Sequence, residues 1–119
     1  MRLQLNLNQY YSGLDQMQVN TLFSLFVNMK YSMRSLESMT KKLKNGDHQL
    51  DEFDRRHYLT VKRVSLSCLK AVNEYMISIG KDAIFKGIEN PNIDEIDYEA
   101  IVNQYNYLMS KPEQESKEA

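Results

Sequence analysis

The sequence predicts an all-α fold: a long antiparallel helical hairpin followed by a shorter C-terminal helix, with a bundle-forming dimer as its simplest assembly. Three observations predict it. Apolar side chains recur at alternating spacings of three and four over residues 19–43, the period of a helix that packs along one side. The step Lys44-Asn45-Gly46-Asp47 then interrupts the pattern with residues that close one helix and open the next. A second three-four series covers residues 50–79.

The bulk composition agrees. A chain of 119 residues, 42% hydrophobic and 26% charged, is one domain's worth and can bury a core without disulfides or a structural metal. Cys68 is the only cysteine, so no intramolecular disulfide forms, which fits a reducing cytosol. No apolar run is as long as a membrane span. Residues 1–8 alternate in polarity and lack the continuous apolar block of a signal peptide. These features together predict a cytoplasmic protein. The net charge of −1 hides a split: residues 30–70 carry ten Lys/Arg against five Asp/Glu, and residues 71–119 carry four against ten. The two regions can neutralise each other within the fold, between subunits, or against a charged partner.

Taken in order, Leu3, Leu5 and Leu7 alternate with polar residues, the period of a short strand. No second segment matches it, so the arm over 1–9 pairs with its copy in a dimer, pairs with another protein, or is a loop. The first helix is expected over 13–45. Its start is offered twice, by Ser12-Gly13-Leu14-Asp15 and by Asp15-Gln16-Met17-Gln18, both of capping-box form. Its stripe is Val19, Leu22, Phe26, Met29, Met33, Leu36, Thr40 and Leu43, along a rod of about 45 Å at 1.5 Å per residue. Lys41, Lys42 and Lys44 suit the negative end of its dipole, and Asn45-Gly46 provides a left-handed cap. The second helix is expected over 47–79, capped by Asp47, with Asp51, Glu52 and Asp54 at its positive end. Its expected stripe is Leu50, Phe53, His57, Val61, Val64, Cys68, Val72, Tyr75 and Ile79. Residues 83–88 read as one further helical turn, and Asn90-Pro91-Asn92 as a break. A third helix over 94–110 starts at Asp94 or Asp97 and places Tyr98, Ile101, Val102, Tyr105, Leu108 and Met109 on one face. The tail over 112–119 is charged and apolar-poor, a composition that predicts disorder.

The hairpin has two unlike ends. Its tip is polar, while its open end gathers Tyr10, Tyr11, Leu14, Tyr75, Met76 and Ile77. With Phe23 and Val27, from the all-round apolar segment 22–27, these form the expected self-association surface. The candidate partner-binding surface is the basic set Lys41, Lys42, Lys44, Arg55, Arg56, Lys62, Arg63 and Lys70, which can contact acidic groups or phosphates.

The reading for catalysis is negative. His48, Asp51 and Glu52 share a helical face, but a solvated helix start explains them and no second ligand cluster exists, so no metal is expected. His57 and Cys68 stand three turns apart on one helix, about 16 Å, too far to act as a pair. The four glycines are isolated, so no phosphate loop forms, and no cofactor is expected. Met29, Met33 and Met39 are read as core.

The sequence therefore predicts a small, non-enzymatic protein–protein interaction protein: an adaptor, inhibitor, chaperone or assembly factor that binds stoichiometrically through helical surfaces. Its Asn, Lys, Tyr and Ile content suits an AT-rich bacterial, phage or mobile-element gene. The alternative is a dimeric nucleic-acid-binding regulator using the basic edge of the second helix. In length and in its central Asn45-Gly46 turn the chain also resembles the small helical-hairpin proteins that Gram-positive bacteria export in pairs. That resemblance would imply a secretion partner. Their Trp-x-Gly turn is not present, since the chain has no tryptophan, and no residue roles carry across.

Overall fold

The structure, a computed structural model, describes residues 8–45 and 51–110. The expected strand at residues 3–7, Gly46 of the expected turn, Asp47, His48, Leu50 and the charged tail lie outside these residues. The described chain is helical throughout its regular structure: α1 (Asn8–Tyr11), α2 (Gln16–Asn45), α3 (Glu52–Ser78), a 3-10 turn (Ile93–Glu95) and α4 (Tyr98–Ser110).

Each long helix starts where a side chain satisfies its first orphan amides. At α2 the second of the two sequence signals prevails. Gln18 N donates to Asp15 Oδ1 at 2.8 Å and Asp15 N donates to Gln18 Oε1 at 3.0 Å, a reciprocal capping box. The helix therefore begins at Gln16 rather than residue 13, and Gly13 takes a left-handed φ of 79° in the turn before it. At α3 the cap is Asp51, whose Oδ1 accepts from Asp54 N at 2.8 Å, so the helix begins at Glu52 rather than residue 47. At α4 the cap is Asp97, accepting from Ala100 N at 3.1 Å. Asp94 instead sits in the separate 3-10 turn, so of the two expected starts it is Asp97 that caps the helix, which runs from Tyr98 rather than from residue 94.

α3 ends in a Schellman motif. Lys81 N donates to Met76 O and Gly80 N to Ile77 O, with Gly80 at φ 86°.

α2 and α3 pack along their lengths, and α4 lies against α2 as a third helix. The α2 stripe is buried as expected: Leu22, Phe26, Met29, Met33 and Leu36 are at most 1% exposed. The α3 stripe is rotated from the expected one. Val61, Ser65, Leu66, Leu69, Val72, Asn73 and Met76 face inward, while Phe53, His57 and Val64 are exposed. Two buried polar residues cause the difference. Ser65 is fully buried where the helices cross, and its hydroxyl donates to Ser32 O at 3.2 Å. Its small side chain lets the backbones approach.

Residues 83–88 are not helical. They form an irregular segment held between α3 and α4 by two side-chain amides. Asn73 Oδ1 accepts from Ile84 N and Phe85 N, and its Nδ2 donates to Phe85 O, all within 2.9 Å. On the other side Gln104 Oε1 accepts from Lys86 N and its Nε2 donates to Lys86 O, each at 2.9 Å. With its backbone bonded this way, the segment needs no helix and inserts Phe85 and Ile88 into the core. Tyr98, Ile101, Val102, Tyr105 and Met109 of α4 complete it.

Candidate interaction surfaces

The open end of the hairpin is closed from within the chain. Tyr10 and Tyr11 of α1 pack their rings on Phe26 at centroid distances of 5.6 and 6.2 Å. Lys81 Nζ donates to Ser12 O at 2.9 Å and ties the α3 exit to the turn before α2. Of the residues expected to self-associate, Met76 is buried, and Tyr10, Tyr11, Leu14 and Tyr75 are half-buried against the core. Val27 is half-buried, and Phe23 and Ile77 stand exposed. The eight residues do not make one open patch, because α1 takes up part of the surface that the sequence left bare.

The basic set also divides. Arg56, Arg63 and Lys70 follow one another at seven-residue intervals along the outward face of α3, and Arg56 pairs with Glu52 at 2.7 Å. Lys41 and Lys42 are exposed at the end of α2, with Lys41 3.7 Å from Glu37, and Arg55 is exposed near the start of α3. The side chain of Lys44 lies outside the described residues.

Lys62 leaves the basic edge altogether. Its side chain is only 14% exposed and reaches Asp94 at 3.3 Å. Its ammonium lies over the rings of Tyr58 and Tyr98, 4.7 and 5.4 Å from their centroids. These groups line a cleft of about 500 Å³ at the tip, where Thr40 and Leu43 of α2 face Ile96 and the start of α4. Tyr98 OH donates to Ile93 O at 2.6 Å. Burial, with Tyr58 and Asp94 close by, pushes the Tyr98 phenol up to about 12. The Lys62–Asp94 pair is a hydrogen-bonded joint between α3 and the 3-10 turn, and Asp97 and Glu99 leave the cleft around it acidic. No local spacing in the sequence signals it, because Lys62 and Asp94 are 32 residues apart.

A further surface emerges on the flank of α3 turned away from residues 81–110. Phe53 is 75% and Val64 47% exposed, and His57 stacks on Phe53 with rings 6° from parallel. Half-buried Cys68, Ala71 and Tyr75 continue the strip. The expected α3 stripe ran along this seam, so it mixed positions of the core with positions of a second, open apolar face.

Among the described residues no group of His, Cys, Asp and Glu is placed to hold a metal, and no helix is long and apolar enough to cross a membrane. Fold and surfaces together define a hairpin-based all-α protein with one covered and one open side. Comparison with known protein families, curated proteins and solved structures gives no match.

Proposed function

We propose that this chain is a non-enzymatic protein that binds another protein stoichiometrically through the outward surface of α3. The observation that carries this reading is the composition of that surface. Arg56, Arg63 and Lys70 form a row beside three large apolar side chains left in solvent, Phe53, Val64 and Ile77. Arginine and aromatic groups are the residues that protein interfaces favour, and a helix displaying both presents anchors with a charged rim. The acidic groups that the cationic row would meet define the partner's chemistry.

The test is affinity capture from the native host with the wild-type chain and with Arg63→Glu/Lys70→Glu. The expected result is one protein captured in stoichiometric amount by the wild type and lost by the variant. Capture that survives the charge reversal would refute the assignment of this surface.

A second reading is a nucleic-acid-binding regulator. The regular interval of Arg56, Arg63 and Lys70 favours it, since a straight row of cations can follow a phosphate backbone. Tight DNA or RNA binding that falls steeply with salt would establish it in place of the first.

A further inference from the structure

We propose that residues 1–7 act as an arm that folds over the cleft at the open end of the hairpin, with Leu3, Leu5 and Leu7 turned into it and the arm's backbone bonded to Asp82 and Ala83. The contact is separate from the function proposed above, since the partner-binding residues of α3 do not line this cleft.

Three observations single out the arm as the occupant. The first is an apolar match. The cleft holds about 450 Å³ between α1, the end of α3, residues 80–84 and α4, and Tyr10, Met76, Ala83, Ile84 and Leu108 supply its apolar wall. In the arm Leu3, Leu5 and Leu7 alternate with Arg2, Gln4 and Asn6. A chain of this period carries its leucines on one face and its polar residues on the other. The charges also suit each other. Lys81 in the wall is taken by Ser12 O, which leaves Asp82 opposite in sign to Arg2, the arm's one charged side chain.

The second observation concerns the backbone. An arm of this period has to satisfy its own N–H and C=O groups, and α2, α3 and α4 bond theirs within each helix. Residues 79–92 are the longest described stretch without helix. Within it, among the described residues, no hydrogen bond reaches the N–H or C=O of Asp82 or Ala83. Both residues are exposed in the cleft wall, where the arm can bond them.

The third is the tether. α1 begins at Asn8 and contributes Tyr10 to the wall, so the arm joins the fold at the edge of the cleft. Residues 1–7 reach up to about 23 Å when extended. A segment on so short a tether is present at an effective concentration in the millimolar range. A second copy or another protein must instead lose its translational freedom to bind.

The experiment is amide hydrogen exchange by NMR on the purified full chain, read at Asp82 and Ala83, with the α2 amide of Met29 as the folding control. Wild type should exchange about tenfold more slowly than Leu5→Asp/Leu7→Asp, which places two carboxylates in the cleft. Gln4→Asp/Asn6→Asp adds the same charge on the opposite face and should exchange like wild type. Leu5→Ser/Leu7→Ser repeats the inward comparison without charge, so the test holds even if the aspartates unfold the chain. Protection should be equal at micromolar and millimolar protein. Protection that grows with concentration would give the cleft to a second copy and overturn the proposal. Wild-type amides exchanging as fast as those of the inward variants, or equal loss of protection from the 4/6 and 5/7 pairs, would overturn it too.

Discussion

Asn73→Ala should be clearly destabilising, and its cost can be worked from the structure. The side chain is 5% exposed and makes three hydrogen bonds to the backbone of Ile84 and Phe85. Alanine replaces none of them. Phe85 is 2% exposed, so its N–H and C=O lose their partner where water does not reach. Each stranded group costs about 1–3 kcal/mol. The Ile84 N–H belongs to a half-buried residue and can rehydrate, so it adds little. The chain can also swing the segment outward, which gives up the Phe85 side chain at about 1.5–3 kcal/mol. The cheaper route sets the result, a loss of about 2–3 kcal/mol, against a total of about 5–15 kcal/mol for an ordinary domain. In urea titrations followed by circular dichroism this is a midpoint about 1–2 M lower. Amide exchange at Ile84 and Phe85 should quicken in parallel. A loss inside the roughly 0.5 kcal/mol scatter of surface substitutions, or unchanged protection of those amides, would refute the claim that one side chain holds this segment.

Two further outcomes follow from the tip and the core. Lys62→Met keeps the bulk of the side chain but removes its contacts with Asp94 and the two tyrosine rings, and should cost about 1 kcal/mol in thermal unfolding; a variant as stable as wild type would show that the ammonium contributes nothing there. Burial raises the phenols of Tyr98 and Tyr105 to about 12. Their folded values lie above the unfolded value near 10, so the folded state holds these protons more tightly. The stability they contribute is complete below pH 10 and is lost as pH rises through 10 to 12. Urea midpoints measured across that window, with tyrosinate absorbance alongside, check it. If all eight tyrosines ionise together near pH 10, the assignment fails.

The long helices were legible because their apolar period is carried by side chains that do face inward. In α2 the buried residues Leu22 to Leu36 are all apolar, and the period reads directly. In α3 the inward positions include Ser65 and Asn73, whereas Phe53 and Val64 point to solvent. A pattern reader follows the apolar letters and comes out rotated. The same residue explains the misread turn at 83–88. The segment forms no helix because Asn73 bonds the backbone of Ile84 and Phe85, and Gln104 that of Lys86, from 11 to 18 positions away in sequence. The basic row of α3 was visible, but the withdrawal of Lys62 was not, since it depends on Asp94 arriving from the far side of the fold. Closure of the open end by α1 is likewise a tertiary event: nothing in residues 8–11 alone specifies packing on Phe26.

Tyr10 and Leu108 line the same cleft beside Gly80 and Lys81. The first and last described helices therefore finish at one end of the molecule. This has a mechanical consequence. A load applied between residues 8 and 110 pulls both points from the same end, so α4 would peel from α2 one contact at a time instead of sliding along it. The fold should yield to such a pull at low force and in small steps. A load applied between residue 110 and the tip of the hairpin would shear the α2–α4 contact as a whole and meet much greater resistance.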